Sequence, residues 1–321
     1  MKIRKIRWTD HPVLRNLELD FCNPTSGEPY SNVIFAGENG TGKTTILKSI
    51  SEFLNFGPLA EIEFIEYQNQ TGIYRTVESS SNPQIIGAHD VVDNDENVTH
   101  FAIGKNRRNE QEESNPINIR HAGCAYSKAR ADFKTQKITT SSTTELDTKK
   151  NDDDSNDDFT SLKQLLVDIN SADYADYAES NQENGATPIS WIDYFPISKM
   201  YRFSSAFSDF FENLSYSKIE NHGGEKEILF KKNGASISID NLSTGEKQIV
   251  FRGCHLLKNI SNISNAAIFI DEPELSMHPK WERRILSYYK GLFTTAGIQT
   301  AQIFYASHSV SYTHLTLPTK A

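Results

Sequence analysis

Asn32-Val33-Ile34-Phe35-Ala36-Gly37-Glu38-Asn39-Gly40-Thr41-Gly42-Lys43-Thr44-Thr45 is the stretch that decides the fold of this chain. Its first five residues are a short apolar run entering glycine, as a buried parallel strand does. Beyond the glycines, Ile46, Leu47, Ile50, Phe53 and Leu54 recur at helical spacing, and Gly57-Pro58 ends the helix. Between strand and helix, Gly37 to Thr44 fits the P-loop spacing. Glycines let the backbone curl so that its N–H groups converge on phosphate oxygens, and the helix start adds its positive end. Lys43 is expected to reach the β- and γ-phosphates of ATP, the Thr44 hydroxyl to hold Mg²⁺, and Thr45 to touch the α-phosphate. The bland alternative is an ordinary glycine turn, and the flanking strand and helix argue against it.

Three further motifs follow in order. Leu242-Ser243-Thr244-Gly245-Glu246 opens a helix. Its hydroxyls and N–H groups form a second phosphate-binding helix start. Ser243 with Glu246 three residues on is also a capping box, and both readings hold together. One chain does not need two cradles for one γ-phosphate, so the second is expected to serve a partner subunit. Ala267-Ile268-Phe269-Ile270-Asp271-Glu272-Pro273 is a buried strand that ends in two acids. That puts Asp271 at the C-terminal edge of the sheet, where it is expected to hold Mg²⁺. Glu272 is expected to act as the general base that orients and polarises the attacking water. Ala306-Ser307-His308-Ser309 places a histidine after another apolar strand, where it can donate to the γ-phosphate.

The rest of the 321 residues sets bounds. A net charge of −9 disfavours a globally basic nucleic-acid binder. The short basic runs Lys2–Arg7 and Lys105–Arg108 read as solvated. Three cysteines, Cys22, Cys124 and Cys254, match no metal spacing and make a poor disulfide framework, which suits reduced thiols in a cytoplasmic protein. No apolar run approaches the roughly 20 residues that span a membrane. Strands are expected over 3–8 and 17–21, and His121–Tyr126 as one more strand of the ATPase sheet. Helices are expected over 161–179 and 198–211, where Phe207, Phe210 and Phe211 read as core, and again through Ile249–Leu257 and Pro279–Phe293. Glu227–Ile239 reads as a hairpin turning at Asn233-Gly234. The Thr/Ser run 139–144 and the acidic run 151–158 are expected to bury little surface and to be flexible. Alternating strands and helices predict an α/β fold with a mainly parallel sheet.

The motif set resembles the ABC-type ATPases. Gly37–Thr44 corresponds to Walker A, Leu242–Gln248 to the signature, Asp271-Glu272 to Walker B with its catalytic glutamate, Ser276-Met277-His278-Pro279 to the D-loop and His308 to the switch histidine. The resemblance covers the chain to about Phe56 and from about Lys226 to Ser309. It implies a P-loop NTPase fold of ABC type, with an antiparallel β subdomain and a partly flexible helical insertion. It also implies a homodimer with ATP between the P-loop of one subunit and the signature of the other, which hydrolysis reopens. Glu272-Pro273-Glu274-Leu275-Ser276-Met277-His278-Pro279 looks like the SMC/RecF-like group, including OLD-family and Septu-type antiphage ATPases. Those act on DNA or regulate nucleases. The pattern departs from the family at three points: no Gln of the middle region makes a convincing Q-loop, Gln136 being a weak candidate, no long heptad arm separates the motifs, and Thr244 stands where glycine is usual.

The expected organisation is an N-terminal ATPase lobe over 1–75, an insertion over 76–225 with its flexible acidic segment at about 139–160, and a C-terminal ATPase lobe over 226–309. Residues 310–321 resemble the translated mosaic end of a sequencing-library transposase. They read as a gene-assembly scar, beyond which the natural chain is expected to continue. The functional expectation is a dimerising ATPase switch acting on DNA or a nuclease effector, in antiphage defence or DNA repair. The alternatives are a transporter nucleotide-binding subunit, disfavoured by the missing Q-loop and transport-type D-loop, and a non-hydrolysing scaffold.

Overall fold

The computed structural model describes residues 1–130, 132–133, 135–154, 157–183 and 188–308. Along the chain run β1 (Lys2–Trp8), β2 (Glu18–Asp20), β3 (Asn32–Ala36), α1 (Lys43–Leu54), β4 (Ile62–Gln68), β5 (Ile73–Glu78), β6 (His89–Asp93) and β7 (Val98–Phe101). A short α2 (Glu110–Glu113) precedes β8 (Cys124–Ser127), β9 (Asn151–Asp153), α3 (Phe159–Glu183), α4 (Trp191–Tyr194) and α5 (Lys199–Phe210). Next come β10 (Leu214–His222), β11 (Glu225–Lys232), β12 (Ala235–Ser238), α6 (Thr244–Leu257), α7 (Ile260–Ile263), β13 (Ala267–Asp271) and α8 (Pro279–Leu292). The two-residue strands β14 (Thr294–Thr295) and β15 (Ile298–Gln299) lead into β16 (Gln302–Ser307).

The centre is a five-stranded parallel sheet in the order β3-β16-β13-β8-β9. Its inner strands β16, β13 and β8 are buried along their whole length, as their near-continuous apolar sequences require. Alternation along β13 sends Ile268 and Ile270 into a core built with α3, α5, α6 and α8. Ala267 and Phe269 face the other way, into a core with α1 and the antiparallel strands. Those strands form a six-stranded sheet, β2-β1-β4-β5-β6-β7. A third sheet, β10-β11-β12, delivers the chain to α6. The expected turn at Asn233-Gly234 joins β11 to β12, with Asn233 at φ 51 and Gly234 at φ 83.

The structure redraws the middle of the chain. The division at residue 75 falls inside β5, and β6 and β7 continue the antiparallel sheet. Strands β8 and β9 return to the parallel sheet, so residues 76–225 are not one insertion. The expectation that the acidic run buries little is also corrected. Asn151–Asp153 is the edge strand β9, and Asp152 and Asp154 are buried. A buried carboxylate is tolerated only when paired and hydrogen-bonded. Asp152 accepts from Asn259 Nδ2 at 2.8 Å and lies 3.1 Å from Lys258 Nζ. Asp154 accepts from Ser127 Oγ at 2.9 Å and Lys128 N at 3.0 Å, with Arg130 3.7 Å away. The tail 310–321 lies outside the described residues.

One buried arginine ties the end of α1 to the segments that flank β6 and β7. Arg120 donates to the carbonyls of Phe53 (2.9 Å), Gly57 (2.9 Å), Gly87 (2.8 Å) and Ile103 (3.1 Å). Two of these acceptors belong to the C-terminal end of α1 and the turn after it, where a cation also complements the helix dipole. Burial pushes the Arg120 pKa down to about 9, and His89 beside it is pushed down to about 3 by burial and then by the Arg120 charge.

Candidate functional site

Three strand ends meet at one edge of the parallel sheet. The register pairs Ala36 of β3 with Ser307 of β16, and Ala306 of β16 with Asp271 of β13. Gly37, His308 and Glu272, each one residue past its strand, are therefore neighbours. The two strand ends are held together there: Glu272 N donates to Ala306 O at 2.8 Å. Glu272 sits at φ 44, a left-handed conformation that a non-glycine residue holds only at a cost of roughly 1–3 kcal/mol and that tends to occur at functional sites. His308 lies between the other two. Its Nε2 is 2.8 Å from Glu272 Oε1 and its Nδ1 is 3.2 Å from Gly37 O. A proton on either nitrogen therefore has an acceptor.

The P-loop wraps its own lysine. Lys43, 7% exposed, donates through Nζ to the carbonyls of Gly37 (2.8 Å) and Glu38 (2.7 Å) and lies 3.4 Å from Thr41 Oγ1. Helix α1 starts at Gly42, whose φ of 92 a side chain would strain, and a Cβ there would meet Leu14 at 2.8 Å. Gly40, at φ 81, makes the preceding bend, and Asn39 and Gly40 are exposed at the loop tip. Thr45 points to a shallow hollow shared with His11 and Lys48.

Thr44 and Asp271 meet at the same sheet edge, with Thr44 Oγ1 donating to Asp271 Oδ1 at 3.0 Å. A hydroxyl and a carboxylate are hard oxygen donors of the kind Mg²⁺ prefers, so the pair fits that ion. Asp271 is 5% exposed, and burial raises its pKa, with the adjacent Glu272 charge adding to the effect. The Thr44 hydrogen bond and the Arg252 charge oppose that rise. A bound cation would reverse it.

Sequence reasoning missed several supports of this site. Arg252, buried on α6, donates to the carbonyls of Asp271 (2.7 Å) and Lys128 (2.9 Å). Tyr126 of β8 places its hydroxyl 3.4 Å from Asp271 Oδ2. Glu274 accepts from Ser307 Oγ at 2.6 Å and from His308 N at 2.8 Å. Of these, only Glu274 carried a signal, two residues beyond Glu272. Gln136 is exposed, its N–H held by Thr160 Oγ1 at 3.0 Å, and no hydrogen bond among the described residues takes it to Thr44 or Asp271.

Ser243, Thr244, Gly245 and Glu246 stand apart. No hydrogen bond among the described residues joins them to the P-loop. The capping box is complete: Glu246 N donates to Ser243 Oγ at 3.3 Å, and Ser243 N donates to Glu246 Oε2 at 2.9 Å. Lys232 of β11 neutralises the buried Glu246 at 2.8 Å, holding its carboxyl below the usual range against the opposing effect of burial. Ser243 and Thr244 are exposed, beside a hollow of about 440 Å³ that also takes in His278, Lys280 and Arg284. Gly245 packs on the D-loop segment, where a Cβ would come within 2.8 Å of Ser276 O.

A parallel sheet with a P-loop, flanking helices and two acids at the neighbouring strand end defines an α/β P-loop NTPase. Residues 33–312 match the AAA_21 family, described as AAA domain, putative AbiEii toxin, Type IV TA system, and the chain belongs to that family. Among solved structures it is similar to an SMC head domain from Thermotoga maritima, at 12% identity and TM-score 0.42, over 96% of this chain and 90% of that one. It is also similar to an SMC head bound to the C-terminal winged-helix domain of ScpA, at 14% identity and TM-score 0.45, over 97% and 90% of the two chains. No curated protein matches the sequence. No helix among the described residues is long and apolar enough to cross a membrane.

Proposed function

We propose that the chain binds and hydrolyses ATP as a dimerising switch. In this reading the P-loop of one copy faces Ser243–Glu246 of another. The observation that carries it is the division of the motifs: Lys43, Thr44, Asp271, Glu272 and His308 gather at one sheet edge, while the capped, exposed signature serine makes no hydrogen bond to them among the described residues. Backbone N–H groups of Gly37–Thr45 and the Lys43 ammonium would hold the phosphates. Mg²⁺, held by Thr44 and Asp271, would neutralise charge that develops on the β- and γ-phosphate oxygens. Glu272 orients the attacking water and takes its proton. His308, tethered to both Glu272 and Gly37, would donate to the γ-phosphate.

The switch would operate in the cytoplasm on DNA or on a nuclease effector, in antiphage defence or DNA repair. The Glu274–Pro279 segment supports an effector of this kind over a transport partner, and the family's description as a toxin fits it. The test is phosphate release together with sedimentation. Glu272→Gln should cut turnover by about 10²–10⁴-fold and accumulate an ATP-dependent dimer. Undiminished turnover would remove Glu272 from its role. A wild-type chain that binds ATP without releasing phosphate would favour a nucleotide-dependent scaffold.

A further inference from the structure

Glu272 and Glu274 lie on either side of Pro273, and both reach the end of β16. Glu272 meets the ring of His308 through Nε2 at 2.8 Å. Glu274 meets its backbone: one oxygen, Oε1, receives the His308 N–H at 2.8 Å and the Ser307 hydroxyl at 2.6 Å. Ser307 is fully buried, while His308 is the first residue beyond the strand and is exposed. A residue leaving a strand end has lost its ladder partner on one side, and its direction is then set by whatever its N–H bonds. Here that partner is a carboxylate, the stronger kind of acceptor.

We infer that Glu274 is the positioning residue of the switch histidine, a strap that fixes the backbone of His308 so that its ring spans Glu272 and Gly37. The inference rests on the ATPase reading for its effect on turnover, but the strap itself is a property of the chain alone. A neutral side chain without an acceptor at 274 would leave the His308 N–H free to turn to water, and the ring would sample other directions. The strap is continuous with the signature helix, because Ser276 of the same turn packs its carbonyl against Gly245. The His308 backbone is thus held from the segment that also touches the face proposed to meet a partner.

The experiment has two arms. In the full chain without nucleotide, amide hydrogen exchange at His308 should be protected, and Glu274→Ala should raise its rate about tenfold. With ATP, Glu274→Ala should lower kcat about tenfold or more while KM changes less than about twofold, since the strap touches no substrate. In a His308→Ala background, Glu274→Ala should cost nothing further, because both act through one ring. Glu274→Gln keeps an acceptor of lower strength and should fall between wild type and Glu274→Ala in both arms. It also decides the matter if the alanine variant does not fold. Unchanged exchange at His308, or losses that add in the double variant, would overturn the inference. Absence of hydrolysis by the wild-type chain would overturn the ATPase reading instead, and the exchange arm would still decide the strap.

Discussion

Asp271 shows how a single residue trades stability for chemistry. Its carboxyl is buried and its pKa lies above the ordinary value of 3.8, with burial the main cause. Between that value and the raised one the folded chain binds more protons than the unfolded chain, so this group's contribution to stability falls as pH rises through the window. At neutral pH the ionised carboxylate is a standing cost. Asp271→Asn should therefore raise the melting temperature of the nucleotide-free chain by a few degrees and abolish Mg²⁺-dependent turnover. Thermal melts at pH 7 with and without Mg²⁺ check this. A lower melting temperature would mean that the Thr44 and Arg252 interactions outweigh desolvation. Lys43, Thr44 and Asp271 were legible as candidate site residues because their signal is local: a residue type at a fixed place relative to a strand end or helix start. Arg252 was not, and for Glu274 only its place beside Glu272 was, because the partners of both lie far along the chain. Arg252 reaches Lys128 and Glu274 reaches His308, and no spacing rule encodes such contacts.

Among the elements, β3, α1, α6, β13, α8 and β16 could be read because apolar periodicity and capping agree along each. Strands β4 to β7 could not. Glu66, largely covered, is paired across the strands with Arg75, so a charge on these strands masks the alternation that would mark them. The acidic strand β9 was hidden for a related reason: the groups that balance Asp152 belong to Lys258 and Asn259, about a hundred residues away. Arg120 carries the prediction at this scale. It satisfies four backbone carbonyls from α1, the following turn and the antiparallel lobe. Removing it strands those buried acceptors, so Arg120→Met should cost about 3–5 kcal/mol in chemical denaturation. A loss under about 1 kcal/mol would show that water replaces the guanidinium. His89 adds a pH dependence. Its folded pKa of about 3 lies far below the ordinary 6.5, so the stability it supports is full above pH 6.5 and is lost as pH falls toward 3. Denaturation of His89→Gln should lack that part of the acid sensitivity.

At the scale of the whole molecule, Lys43, Thr44, Asp271, Glu272 and His308 gather at one sheet edge, and Ser243 caps a helix elsewhere. Two copies related by a twofold axis would bring each signature to the other's P-loop and build two equal sites. The most direct test mixes two inactive chains. Lys43→Ala disables the P-loop and leaves the signature whole, and Ser243→Arg does the reverse. In a random equimolar mixture, half the dimers are mixed and each holds one intact composite site. Phosphate release should return to about one quarter of the wild-type rate. No recovery, with both variants folded and each inactive alone, would contradict a site shared between two chains.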